Sequence, residues 1–523
     1  MKLQFIRWHR FLTWIAFFGV VTWSLSGIFH PIMAWFGPQA KNTMPPTFQA
    51  NAETLYKLEK IVDKLPIERV AIAKVVPSSE GNLLQITEAD NSPRRYFNLE
   101  TGNELFDHDI AQAKWLTSHY LDLPQENIID VKFKESFSTD YPRVNRLLPV
   151  YEVTIAADDN LLKAFIYTET GALAALNNSF KAKTQLFFRA LHTWSWLDTT
   201  GHGRVLTVAL FMLTLLAIAS TGLYLIFALP SRKIPKSNRR WHRRLSYLLW
   251  LPLLGWSASG FYHLLQAEYI QPISGLRLLE PVQLESFAVA ESEMAQWRHS
   301  IGSSIPKKAH LNAISLNQSI DKKPLYRLGI SVPIEESMSN YQQRKARFGG
   351  LPLERSSALI NAQTGEKESV KDQDLAKELA LQFIQSNGNT IDNIKIDEIK
   401  LVTHFGPNYD FRNKRLPVWQ VDLNDPAGSR YFVDPVTGIL VDQNRKIDRL
   451  ESLSFSLLHK WNFLRPLIGA EKRDILIVIT LLALIAMSCF GLAIYLARRK
   501  PRARRVGSSL PPQEASGYIK ASN

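Results

Sequence analysis

Six of the chain's 12 histidines form three pairs that repeat in register: His9 with His242, His30 with His263, and His192 with His459. Arg7-Trp8-His9-Arg10 returns as Arg240-Trp241-His242-Arg243, and Ser26-Gly27-Ile28-Phe29-His30 returns as Ser259-Gly260-Phe261-Tyr262-His263. Leu191-His192-Thr193-Trp194 returns as Leu458-His459-Lys460-Trp461, with Arg204 and Gly222 matched by Arg473 and Gly491. Neutral imidazole ligates many metals and is a common axial ligand of haem iron. A single histidine at the edge of an apolar segment is ordinarily a polar anchor. Six in register at such edges, where ionisable groups are expensive, point to function.

On a helix, His9 and His30 stand roughly 32 Å apart and nearly on one azimuth, as do His242 and His263. A pseudo-twofold axis would set His9 against His242 at one depth, and His30 against His263 at the other, near His192 and His459. Two bis-histidine haem b groups stacked across a membrane suit this spacing, with Trp23 or Trp256 available between them. Gly27 and Gly260 would let a porphyrin approach, although close helix packing accounts for them equally. Arg7, Arg10, Arg240, Arg243 and Arg244 could pair with propionates, although orientation in the membrane requires them anyway. His202 breaks the register, because Glu471 stands at its counterpart, and a spare-ligand role is the lesser of its readings. His108, His119, His299, His310 and His404 lack metal-ligand spacing and read as surface or structural residues.

Other chemistries lack their apparatus. Cys489 is the only cysteine, which excludes an intrachain disulfide, a CxxC redox pair and a thiolate-built metal site. The chain has no HExxH, P-loop, GxGxxG or GxSxG string, and no catalytic side chain is assigned.

The elements that must carry the histidines are apolar. Segments 11–40, 205–231, 245–267 and 475–497 contain no Asp, Glu, Lys or Arg. Each can cross a hydrocarbon core of ~30 Å, so four transmembrane helices are expected. The first is read as a retained helix rather than a cleaved leader, because its motif recurs deep in the chain. Mean hydropathy is −0.11, which excludes a chain that is mostly membrane. Lys+Arg number 62 against 48 Asp+Glu, a net charge of +14. The excess clusters at Lys2 to Arg10, Arg232 to Arg244 and Arg498 to Arg505, which the positive-inside rule places in the cytoplasm with both termini. The charge is therefore topological, and no nucleic-acid partner is expected.

The expected organisation is a helix in 1–37, an outer region in 38–188, a helix in 189–231 and a cytoplasmic link in 232–244. A helix in 245–267, a second outer region in 268–456, a helix in 457–497 and a basic tail in 498–523 complete it. Tyr141, Asn145 and Leu148-Pro149-Val150 recur as Tyr409, Asn413 and Leu416-Pro417-Val418, so the outer regions repeat as well. Alternation in 148–155 and 416–423 predicts half-buried strands, and Thr101-Gly102, Thr170-Gly171, Thr364-Gly365 and Thr437-Gly438 predict hairpin turns. Segments 54–65, 110–120, 291–301 and 371–386 carry helical patterns. The fold class is a duplicated membrane α-helical bundle with two α+β outer regions, each of two similar units. Pro45-Pro46 and Gly349-Gly350 read as loop punctuation, and 506–523 as disordered.

The recurring strings at the helix ends, the Thr-Gly hairpins and the Ser-Cys-Phe-Gly end of the last helix resemble the bacterial PepSY-associated transmembrane family over nearly the whole chain. The resemblance implies an inner-membrane protein with two periplasmic PepSY-like regions. It also implies, by likeness to iron-regulated and ferric-siderophore-reductase members, electron transfer to a periplasmic ferric chelate from a cytoplasmic or quinol donor. The alternative is a non-catalytic, membrane-anchored PepSY module that binds a peptide, a protease or a partner protein. A permease is disfavoured by four spans without internal charge.

Overall fold

A backbone in lipid must satisfy its own hydrogen bonds, so apolar runs of spanning length fold as helices. The computed structural model describes residues 1–46, 49–157, 160–229, 237–270, 275–305, 310–319, 321–331, 356–386, 395–406 and 408–499. Arg232, Lys233 and Lys236 of the expected link, Gly349-Gly350 and the tail from 500 onward lie outside the described residues.

Among the described residues four long helices are present: Lys2–Phe36, His202–Ala228, Asn238–Tyr269 and Arg465–Arg499, the last broken at Gly469. The first two, and the stretch Asn462–Ala497 that overlaps the fourth, are long and apolar enough to cross a membrane. Asn238–Tyr269, expected from its sequence as the third of four spans, has the length but is more polar. It opens with Arg239, Arg240, Arg243 and Arg244 and ends near Glu268. The helices pack in a cycle, first on second, second on third, third on fourth and fourth on first. Trp23, Trp194, Leu215, Leu249, Leu253 and Leu484 are buried where they meet. Phe11, Leu206 and Leu248 are 69%, 68% and 72% exposed on the outward faces, a surface suited to lipid.

Three larger antiparallel sheets form the outer layer. One is four-stranded, Ile128–Lys134, Val150–Ala157, Asn160–Tyr167 and Ala172–Asn178, and is covered by helix His108–Leu121. A five-stranded sheet orders Lys395–Val402, Val418–Asn424, Arg430–Asp434, Ile439–Asn444 and Leu276–Arg277 under helix Asp372–Ser386. These covering helices, with Ala52–Val62 and Met294–Ser304, fall where helical patterns are expected.

The third sheet joins the two outer regions. Ile72–Ser78 pairs with His310–Gln318, Lys74 facing Ser315, so that three strands from each region make one six-stranded sheet. Pairing two strand edges removes a row of open backbone donors and acceptors from solvent, which separate three-stranded units would leave exposed.

Several local features recur in both halves. Leu148-Pro149 and Leu416-Pro417 are both cis. Tyr141 Oη donates to the Leu147 carbonyl at 2.8 Å and Tyr409 Oη to the Arg415 carbonyl at 2.9 Å. All four Thr-Gly turns place glycine at positive φ, between 64° and 74°, where a side chain would be strained.

Candidate functional site

Histidines gather at both ends of the helix bundle. At one end, the His9 and His242 ring centres are 6.3 Å apart. The His242 Nδ1–H donates to the Met487 carbonyl at 3.0 Å. His9 Nδ1 lies 3.1 Å from Thr221 Oγ1. The Thr221 hydroxyl already donates to the Ala217 carbonyl at 2.8 Å, so it accepts from His9. A Cβ at Gly222 would stand 3.3 Å from His9 Cε1, and one at Gly491 would stand 3.1 Å from His242 Cε1. These glycines make room for the two imidazoles.

At the other end, His192 and His459 have ring centres 6.1 Å apart, with planes at 89°. Both lie on π-helical turns, Arg189–Thr193 and Phe455–His459, a geometry that often marks functional sites. Ser26 Oγ lies 2.9 Å from His192 Nδ1, and Ser259 Oγ lies 3.2 Å from His459 Nδ1. Each serine donates to a backbone carbonyl, Trp23 at 3.1 Å and Trp256 at 3.2 Å, and so accepts from its histidine. The same tryptophans hold the turns, Trp23 Nε1 donating to the His192 carbonyl at 2.9 Å and Trp256 Nε1 to the His459 carbonyl at 2.8 Å. Trp23 also stacks on Trp194 and Trp256 on Trp461, at 5.5 and 5.0 Å.

In all four rings the proton is therefore on Nδ1, and Nε2 keeps the lone pair. A histidine that ligates a metal is fixed in this way, by donation from its other nitrogen. Two metal–nitrogen bonds of roughly 2 Å, with the ring depth behind each, put ring centres about 6 Å apart. Both pairs stand at that separation. Among the described residues no group of three or more His, Cys, Asp or Glu could hold a metal ion. Two imidazoles alone suit a metal whose other ligands come from elsewhere, as a porphyrin supplies them.

The structure places the other candidates around these pairs. At the outer end the adjoining rings are those of His192 and His459, and His30 and His263 lie beside them on the Phe188 and Phe455 rings. The Phe188 ring lies 4.6 Å from His192 and 6.2 Å from His30, and the Phe455 ring 4.5 Å from His459 and 4.7 Å from His263. The exposed His263 bonds through Nδ1 to Glu451 at 2.6 Å. Gly27 and Gly260 face side chains of neighbouring helices, Leu481 at 3.1 Å and Met212 at 3.4 Å, as packing glycines do. Arg243 donates to the Ile226 and Leu229 carbonyls at 3.1 and 2.5 Å, closing the end of the second long helix. Arg7 and Arg10 are exposed at the same end, with Arg240 half-buried. His202 is exposed and lies 3.5 Å from Glu268, apart from the ring pairs.

Apolar helices long enough for a bilayer, joined to an outer layer of sheets, define an integral membrane protein. The chain belongs to the family described as the PepSY-associated TM region, whose sequence pattern matches residues 6–498. A comparison with curated proteins found no match.

Proposed function

We propose that the protein is a di-haem oxidoreductase of the bacterial inner membrane, carrying electrons from a cytoplasmic or quinol donor to a periplasmic ferric chelate. The observation that carries this reading is the pair of facing, Nδ1-anchored imidazoles at each end of the bundle. In this reading Asn238–Tyr269 also spans the membrane, as the third of four spans, the halves are a duplication about an axis along the membrane normal, and both termini are cytoplasmic. The basic residues beside His9 and His242 support that orientation.

His9 and His242 would hold one haem and His192 and His459 the other; each would supply one-electron transfer between donor and acceptor. The chain's own part is positioning. Thr221, Ser26, Ser259 and the Met487 carbonyl fix the ring tautomers, while Phe188 and Phe455 wall the outer pair. The stacked Trp23–Trp194 and Trp256–Trp461 rings lie beside the outer pair and shorten the apolar gap towards the inner one. Ferric iron is gripped by hard oxygen ligands, and one added electron lowers its charge and loosens that grip.

The test is an absorption spectrum of the purified protein with and without reductant. A Soret band, a reducible α band and two haems per chain are expected. Colourless protein would overturn the proposal and leave the non-catalytic binding module. Two further changes probe the anchoring. Ser26→Ala with Ser259→Ala is expected to weaken retention of the outer haem roughly 10–100-fold, as loss of a ligand's supporting hydrogen bond does. Gly491→Val should weaken the inner one by a comparable factor, because its side chain meets the His242 ring. Haem titration of the purified variants reads both effects.

A further inference from the structure

A cavity of about 200 Å³ lies in the outer layer where equivalent turns of the two halves meet, Arg146 to Pro149 from the first and Asn413 with Arg415 from the second. Four guanidinium groups line it, Arg94, Arg146, Arg277 and Arg415, against two carboxylates, Asp90 and Glu169. The arginines other than Arg94 are balanced by protein carboxylates, and from the unsatisfied Arg94 in its wall we infer that the cavity binds a small oxyanion, a carboxylate or a phosphate.

Arg94 carries the argument. Its side chain is 2% exposed, and among the described residues its one ion-pair contact is Glu169 at 3.5 Å through Nη2. Nε and Nη1 are buried with no hydrogen-bond partner among the described residues. A buried cation with idle donors is costly, and charge-assisted bonds to an oxyanion are what a guanidinium best forms. The nearby carboxylates are committed elsewhere. Asp109 accepts from the Arg94 backbone N–H and from Tyr96 Oη, both at 2.9 Å. Glu169 is shared with Arg415, with which it makes a close ion pair. Burial alone would raise the Glu169 carboxyl, but Arg415, Arg94 and Lys74 outweigh it and hold it well below the ordinary range.

The other lining arginines are anchored by protein groups. Arg415 reaches Asp434 at 3.0 Å, Arg146 reaches Asp442 at 2.8 Å, and Arg277 reaches Asp90 at 2.6 Å. Arg415 also stands where the first half of the repeat has Leu147, so a cation has been set into one half of an otherwise matched pair of turns. Contrast comes from Arg327, a buried guanidinium elsewhere in the outer layer, which Asp372 engages through both oxygens at 2.8 and 2.7 Å. The volume is below the ~300–1,000 Å³ of sites for drug-sized ligands, which limits the occupant to a small molecule.

The experiment is isothermal titration of the full-length protein in detergent with citrate and with inorganic phosphate, at matched ionic strength. Saturable binding of at least one is expected, and which one binds assigns the anion as carboxylate or phosphate. Arg94→Gln should weaken it about tenfold or more, the scale of one lost charge-assisted bond. Arg277→Gln, at a lining side chain that is 14% exposed, should also weaken it and covers the case in which Arg94→Gln does not fold. Wild-type protein that binds neither anion overturns the inference, as does unchanged affinity in folded variants. The readout needs no haem, so this site and the electron-transfer proposal fail separately.

Discussion

Replacing His192 or His459 by alanine should remove one haem per chain and end reduction of an external ferric chelate, while the remaining haem still accepts electrons. The two rings face each other at 6.1 Å, and each is fixed by a serine on a different helix, so neither has a substitute already in place. The neighbouring histidines are held differently: His263 bonds through Nδ1 to Glu451 at 2.6 Å, and His30 packs against the Phe188 ring at 6.2 Å, neither anchored by Ser26 or Ser259. His30→Ala and His263→Ala are accordingly expected to keep both haems. Pyridine haemochrome content gives the stoichiometry and dithionite difference spectra give the reducibility. If His30→Ala or His263→Ala lost a haem while His192→Ala kept both, the ligand assignment would be wrong.

That assignment differs from the one spacing suggests, for a physical reason. His9 and His242 lie on regular helix, where azimuth can be counted from sequence, and the structure brings them together. His192 and His459 lie on π-helical turns, whose extra residue per turn defeats such counting. The Trp-Ser-x-Ser-Gly string contains both the tryptophan and the serine that fix each outer imidazole, but only tertiary contact gives them the role. Gly222 and Gly491 were visible as matched positions in the repeat, and the imidazoles they accommodate were not. Thr221 and the Met487 carbonyl had no sequence signal, since any residue has a carbonyl and threonine is common in apolar helices.

The outer layer divides similarly. Hairpins at Thr-Gly turns and four of the outer-layer helices were legible, because positive φ at glycine and helical periodicity are local properties. The join of Ile72–Ser78 to His310–Gln318 was not. Its partners are far apart in sequence, and their pairing is decided by which strand edges remain open after each hairpin has formed. The Arg94 cavity belongs to the same category, because its wall is assembled from turns of both halves.

Asp372→Ala should destabilise the outer layer by about 3–5 kcal/mol, the cost of stranding a buried charge. The Arg327 and Asp372 side chains are 0% and 2% exposed. Trp419 Nε1 also donates to Asp372 at 2.8 Å, so the carboxylate serves the sheet as well as the guanidinium. Burial alone would raise the Asp372 carboxyl, but Arg327 outweighs it and holds it below its ordinary range. A carboxylate lowered in the folded state contributes stability above its unfolded value near ~3.9, and loses it as pH falls through the lower folded value. The wild-type outer layer should therefore lose this contribution only in strong acid. The paired change Arg327→Met with Asp372→Leu removes both charges without stranding either, so it should cost far less than Asp372→Ala and abolish the acid sensitivity. Urea unfolding followed by tryptophan fluorescence at neutral and acid pH checks the ranking. Equal stability of Asp372→Ala and wild type would mean that Arg327 finds water or another acceptor when its partner is lost.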